Sequence, residues 1–263
     1  MNLRLYLIFS FIIIYILYYL YMLISICYKE LKYFIYSSKL LDQTISICDK
    51  EPEYFIYSSK LIGPTILILG ATHGNEPVGY FAIKEYMNML NRQEIILKKG
   101  KIIFIPAVNY CGLKFNTRYN PILGDINRSY GKNINAVNSL IINFVKESDF
   151  IIDFHEAYDY NKLNNNSLGS TIMPTDTKIS YEVSKYIIPN INSNISEDYK
   201  KFDIIQNDGI DYTLRDYISK NLKKDYILVE ITGQNDIQPL EVRKNQALTI
   251  ISSVISYFKM DYN

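Results

Sequence analysis

The stretch from Thr65 to Gly79, TILILGATHGNEPVG, decides the architecture of the chain. Gly63-Pro64 introduces an apolar run, Thr65-Ile66-Leu67-Ile68-Leu69, and Gly70 stops it, which is the pattern of a strand buried on both faces. Pro77 then opens helical spacing at Val78, Phe81, Ala82, Tyr86 and Met89, because proline fits a first helical turn where its missing N–H is no loss. Between strand and helix lie His73 and Glu76, on a turn that aims both at the carboxyl edge of a sheet. That edge is where open α/β sheets place their sites.

The chain has only two histidines in 263 residues. The second, His155, closes another apolar run, Asp149-Phe150-Ile151-Ile152-Asp153-Phe154, so both imidazoles occupy the same kind of position. Two histidines and a carboxylate that leave a position for water form the ligand set of a catalytic zinc site.

Working outward, Lys101 to Ile105 reads as the next buried strand, ended by Pro106, and Asn109 to Lys132 as a long loop without apolar periodicity. A loop of that length in a compact domain is usually functional or disordered, and its aromatic content argues against disorder. Helical spacing follows from Ala136 to Phe144, then the strand that ends at His155. A short strand over Ser170 to Met173, helices over Ile179 to Ile188 and Thr213 to Leu222, and a strand from Tyr226 ending at Glu230 come next. Leu240 to Phe258 reads as a closing helix. Upstream, the octapeptide YFIYSSKL occurs twice, over 33–40 and 54–61; two copies are too few for a solenoid, and their β-favouring residues predict antiparallel strands.

Composition narrows the classes. Twenty-eight basic against 27 acidic residues give a formal net charge of +1, with the basic residues scattered, so no nucleic-acid partner is expected. The three cysteines, Cys27, Cys48 and Cys111, form no regular framework, and Cys111 reads as a buried inert thiol. From Leu5 to Tyr28 no residue is charged, a run long enough to cross a ~30 Å hydrocarbon layer. The expectation is a membrane anchor over residues 1–32, single-pass and uncleaved, ahead of a catalytic domain over 33–263. A cleaved signal peptide is the rival, but the run is longer than a ~7–15-residue signal core and lacks a small-x-small site.

In order along the chain, His73-Gly74-Asn75-Glu76, Arg118, Asn127-Arg128, Asp153-Phe154-His155 and Glu230 resemble the motif set of the zinc carboxypeptidase-like superfamily, in its succinylglutamate desuccinylase and aspartoacylase branch. The resemblance covers roughly residues 54–233. It implies a three-layer α/β/α domain with a central mixed sheet and one zinc ion held by His73, Glu76 and His155. It further implies that Arg118 supports a developing oxyanion, that Asn127 and Arg128 grip a free substrate carboxylate, and that Glu230 is the general base. Position supports the last role, since a carboxylate at the end of Ile227-Leu228-Val229 reaches the same sheet edge as His155. Glu156 is the competitor, but as the neighbour of a ligand on a strand it faces the other way. Asp153, two residues before His155, shares its face and is placed to orient the imidazole.

The implied activity is hydrolysis of an amide bond next to a free carboxylate, on a small molecule or a peptide. The family branch carries an extra C-terminal β-rich domain that narrows the site, whereas the residues after Glu230 read as helix here, so an open cleft and an extended substrate are expected. A catalytically silent, membrane-anchored binding or scaffold protein keeping the fold is the alternative. A serine or cysteine hydrolase would need a histidine as base, and both are committed to metal. The anchor is testable by fractionation: the full chain should partition with membranes, and a chain beginning near Tyr33 should stay in solution. Recovery of the full chain in the soluble fraction with Met1 retained would reject the span.

Overall fold

A computed structural model describes residues 15–25, 30, 48, 50–206 and 209–261. The chain divides into two units, 1–49 and 50–263. In the first, 15–25 are helical, and the remainder of the expected 5–28 span and the first YFIYSSKL copy lie outside the described residues. Among the described residues no helix is long and apolar enough to cross a membrane.

The second unit holds a seven-stranded mixed sheet. Its strands are β1 (Phe55–Ser58), β2 (Thr65–Leu69), β3 (Lys101–Ile105), β4 (Phe150–Ala157), β5 (Thr171–Pro174), β6 (Asp203–Ile204) and β7 (Asp225–Thr232), in spatial order β1-β3-β2-β4-β7-β5-β6. The second YFIYSSKL copy supplies β1, antiparallel to β3 as its sequence predicts. β3, β2, β4 and β7 run parallel, while β5 is antiparallel to β7. After β2 the chain crosses to β3 on one side and β4 fills the other, so strand order reverses between β2 and β4. A crevice opens at such a switch point beyond the strands' carboxyl ends.

Helices cover both faces. α1 (Val78–Asn91), α4 (Lys178–Asn192) and α6 (Leu240–Tyr257) pack with Ile66, Ile68, Ile152, Phe154, Val229 and Ile231. On the opposite face α3 (Ala136–Glu147) and α5 (Leu214–Tyr217, continued by a wider turn over Ile218–Leu222) pack with Leu67, Leu69, Ile151 and Tyr226. Alternate residues of each central strand thus enter separate cores, which is why these strands read as unbroken apolar runs.

Three boundaries differ from the sequence reading. β4 and β7 do not end at His155 and Glu230 but run two residues further, to Ala157 and Thr232, because the parallel ladder pairs His155 with Glu230 and continues through Ala157 with Thr232. α4 runs through Pro189 to Asn192, burying Ile187 and Ile191, so packing outweighs the proline penalty. The long loop contains a helix, α2 (Tyr110–Phe115), and a 3₁₀ turn, Ile126–Arg128, both held by polar side chains rather than apolar periodicity. Asn109 accepts from Gly112 N, Asn120 from Ile122 N and Leu123 N, and Asp125 from Asn127 N. Cys111, on α2, is buried but disulfide-bonded, not a free thiol.

The turn bearing His73 and Glu76 is fixed by a close approach. A Cβ on Gly79 would stand 2.7 Å from Phe154 Cβ and 2.9 Å from Gly70 Cα, so α1 meets β4 and the end of β2 with no side chain between them. Gly79→Ala should therefore overpack this junction and lower stability by about 1–3 kcal/mol in a denaturant titration; an unchanged midpoint would show that the junction yields.

Candidate metal centre and substrate cleft

Register sets the geometry of the site. His155 on β4 and Glu230 on β7 are direct partners in a parallel ladder, so their side chains leave the same face, and Asp153 joins them two residues earlier. The turn after β2 brings His73 and Glu76 to the same edge. His73, Glu76 and His155 are all buried, and one ligand atom of each lies within 4.8 Å of the others.

Glu76 stands between the two imidazoles. Its Oε1 is 2.9 Å from His73 Nδ1 and its Oε2 2.9 Å from His155 Nδ1, while the two Nδ1 atoms face each other at 3.2 Å. Two ring nitrogens and a carboxylate turned inward on one point, out of solvent, are a donor set suited to a borderline divalent cation such as zinc. The outer nitrogens face acids: His73 Nε2 is 3.3 Å from Asp125 Oδ1, and His155 Nε2 is 3.4 Å from Asp153 Oδ2. Asp153 is itself held by Thr72 Oγ1 and Tyr226 OH. Carboxylates behind metal-ligating imidazoles fix ring orientation and raise basicity.

The acids convergent on this point shape one another's titration. Burial opposes ionisation of Glu76, but hydrogen bonds from His155 and His73 and their positive charge hold its carboxyl well below the ordinary range. Asp125 is likewise buried in part, yet His73, Arg118 and Arg128 bring it down to about 2. Burial works against charge on His155 as well, and Asp153 and Glu76 overcome it, raising it well above its ordinary value. Glu230 goes the other way: burial, with Glu76 and Asp153 adding repulsion against the pull of His155 and Arg118, pushes it up to about 8.

All seven residues singled out from the sequence (His73, Glu76, Arg118, Asn127, Arg128, His155 and Glu230) line one cleft of about 210 Å³. Arg118 donates from Nε to Asp125 Oδ2 at 3.1 Å and reaches Glu76 Oε1 at 3.4 Å. Asn127 accepts from Leu214 N at 2.9 Å, tying the 3₁₀ turn to the start of α5, and Arg128 donates to Asn127 O. Glu156 does face away. Its buried carboxylate accepts from Val78 N at 2.7 Å and from Arg243 at 2.7 Å, so it serves as the N-terminal cap that Pro77 cannot supply to α1.

Sequence reasoning passed over Asp125, Arg215 and Gln234, which also shape the cleft. Arg215 is nearly buried and donates to Pro174 O; its one signal is an arginine inside an apolar helical pattern. Gln234, four residues after Glu230, donates to Glu76 Oε1 at 3.0 Å.

Residues 62–165 match the Succinylglutamate desuccinylase/Aspartoacylase catalytic domain. The resemblance read from the sequence therefore holds. No curated protein matches the chain. Among solved structures, product-bound Csd4, a cell shape determinant protein of Helicobacter pylori, superposes with a TM-score of 0.67 at 16% identity, covering 80% of this chain and 56% of Csd4. The mDAP-bound form of the same protein, described as a D,L-carboxypeptidase, gives 0.66 at 16% identity over 78% and 54%. A succinylglutamate desuccinylase from Silicibacter gives 0.59 at 16% identity over 82% and 70%. The chain thus spans little more than half the length of Csd4, and the likeness establishes the fold.

Glu230 yields a test independent of turnover. Below its unfolded value near 4.5 the group is protonated in both states and costs nothing; as pH rises toward about 8 the folded protein must retain a proton that the unfolded chain releases. In chelator-treated protein, Glu230→Gln should raise the melting temperature, with a gain that is absent near pH 4 and grows to pH 8. A gain independent of pH would show that burial of this carboxyl is not its origin.

Proposed function

We propose that the chain is a zinc-dependent hydrolase that cleaves an amide bond next to a free carboxylate. The observation that carries the reading is the inward convergence of His73, Glu76 and His155 beside Glu230, the register partner of His155. These three residues would hold one zinc ion. Zinc bound there would acidify water and polarise the substrate carbonyl.

Each protein group then has a definite task. Glu230 takes a proton from the attacking water as its oxygen adds to the carbonyl carbon, and returns that proton to the nitrogen as the C–N bond breaks. A cation held beside it would lower the Glu230 value from about 8 toward the range a base at neutral pH requires. Arg118, at the cleft wall beside Glu76, stabilises negative charge on the carbonyl oxygen. Arg128 receives the substrate carboxylate. With Asn127 Oδ1 committed to Leu214 N, the amide group left for the ligand is Nδ2, a donor, as a carboxylate needs.

An extended substrate, a peptide with a free terminal carboxylate, is the form we favour. Support comes from Csd4, whose solved structures include a tripeptide-bound form and an mDAP-bound form. A silent scaffold would tolerate loss of a ligand or of the base, and none is lost. We further propose that the uncharged 5–28 run anchors the enzyme to a membrane.

Purified protein should contain one zinc per chain. His155→Ala should lose metal and activity together; full zinc occupancy in that variant would remove it from the ligand set. Glu230→Gln should keep the metal and lose turnover by about 10²–10⁴-fold, whereas near-normal turnover would assign the base elsewhere. Converting the terminal carboxylate of a peptide substrate to an amide should weaken transition-state binding by about 2–5 kcal/mol, the cost of leaving one partner of a buried charged pair unmatched. If small acyl amino acids such as succinyl-glutamate outpace peptides by a wide margin, the extended-substrate reading fails.

A further inference from the structure

Glu76 must present its carboxylate in a fixed plane if it is to act with two imidazoles, yet the terminal torsion of a glutamate is broad and roughly two-fold. With a metal bound, the inward nitrogens of His73 and His155 would turn their lone pairs to it and could no longer donate to Glu76 to set that plane. The groups that can are those on the outer side of the carboxylate. Oε2 accepts from the backbone N–H of Glu156 at 3.1 Å, and Oε1 from Gln234 Nε2 at 3.0 Å. The same amide nitrogen donates to Glu156 O at 2.6 Å, so Gln234 bridges the ligand turn and β4.

The chain after β7 is built to deliver that amide. Asn235 and Asp236 both adopt left-handed backbone, with φ of 60° and 54°, an uncommon conformation for two successive residues other than glycine. The turn is held from outside by Arg243 on α6, whose guanidinium forks between Glu156 Oε2 at 2.7 Å and Asp236 Oδ1 at 2.9 Å. It is held from inside by Gln238, which donates to Thr232 O at 2.7 Å. Gly233 permits the approach, since a Cβ there would lie 2.5 Å from both Glu156 Oε2 and Arg243 Cδ. A strained turn, a buried ion pair and a glycine together place one neutral donor on one ligand oxygen.

We infer that Gln234 is a positioning residue that orients Glu76 as a metal ligand, with the Glu156–Arg243 pair as its anchor. A neutral amide suits the task, because it fixes the carboxylate without adding a positive charge that would oppose a cation. Arg118, bonded to Asp125, reaches the same oxygen only at 3.4 Å, so Gln234 supplies the shorter contact to Oε1. The inference rests on the proposed metal centre.

The test is zinc affinity of the full chain, measured on chelator-stripped protein by competition with a chromophoric chelator. Gln234→Met keeps the length and apolar stem of the side chain and removes the donor; Gln234→Ala removes both. Each should raise the zinc dissociation constant about 10–100-fold, the usual consequence of losing a group that orients a ligand. The visible spectrum of the cobalt(II)-loaded Met variant should also shift from that of the parent, as a changed ligand field requires. A Met variant with parental zinc affinity and cobalt spectrum overturns the inference even if its melting temperature falls, because that pattern is a structural role alone. A parent protein without saturable zinc binding overturns the metal centre and this inference together.

Discussion

The buried carboxylate of Glu76 is the constraint on which the rest of the site depends. Its side chain is 3% exposed, and an ionised carboxylate so far from water persists only when its oxygens are matched by donors. Here those donors come from its own turn, from β4 as both side chain and backbone, from the long loop through Arg118, and from the turn after β7. Four segments distant in sequence therefore share one electrostatic requirement. Misplacing any one of them leaves a charge unmatched in a dry environment, at a cost of several kcal/mol.

β4 divides this work by parity. On one face Asp153 and His155 meet Tyr226 and Glu230 of β7; His155, Tyr226 and Glu230 line the cleft, with Asp153 buried behind them. On the other, Phe150, Ile152 and Phe154 enter the core beneath α1 and α6, and Glu156 continues that face as cap of α1 and partner of Arg243. Glu156 and Glu230, one register position apart on neighbouring strands, thus acquire unrelated functions from the pleat of the sheet. Both are shifted upward by burial, Glu156 to about 7 and Glu230 to about 8, so titration behaviour alone would not tell them apart. The direction in which each side chain leaves the strand does.

The central strands and the ligand turn were legible because their signals are local. Leu67 and Ile68 enter opposite cores, and an apolar run flanked by glycine and proline reports that directly. His73, Glu76 and His155 were legible because a chain with two histidines leaves few alternatives. The internal order of the long loop was not, because Asn109, Asn120 and Asp125 stabilise it through side-chain bonds to nearby backbone, which carry no hydrophobic period. Gln234 and Arg215 were missed for another reason: each acts on a group far away in sequence, Glu76 and Pro174, and only the folded sheet brings the partners together. β4 and β7 run two residues past the polar residue that suggests a stop in each, because the ladder continues through His155 and Glu230 to Ala157 and Thr232.

The parallel pairing of β2 with β4 also governs when the site can come into being. Leu69 pairs with Asp153 across a ladder that no hairpin can form, since β3, three α-helices and a 3₁₀ turn intervene in the chain. Contacts of such long sequence separation carry a high entropic cost and form slowly. His73 and Glu76 share one local turn, but His155 joins them only when the centre of the sheet has closed, so no local fragment holds the full ligand set. Capture of a metal by all three residues would therefore be a late event that reports completed folding, and its release by fraying would require opening β2 from β4 at the centre of the sheet.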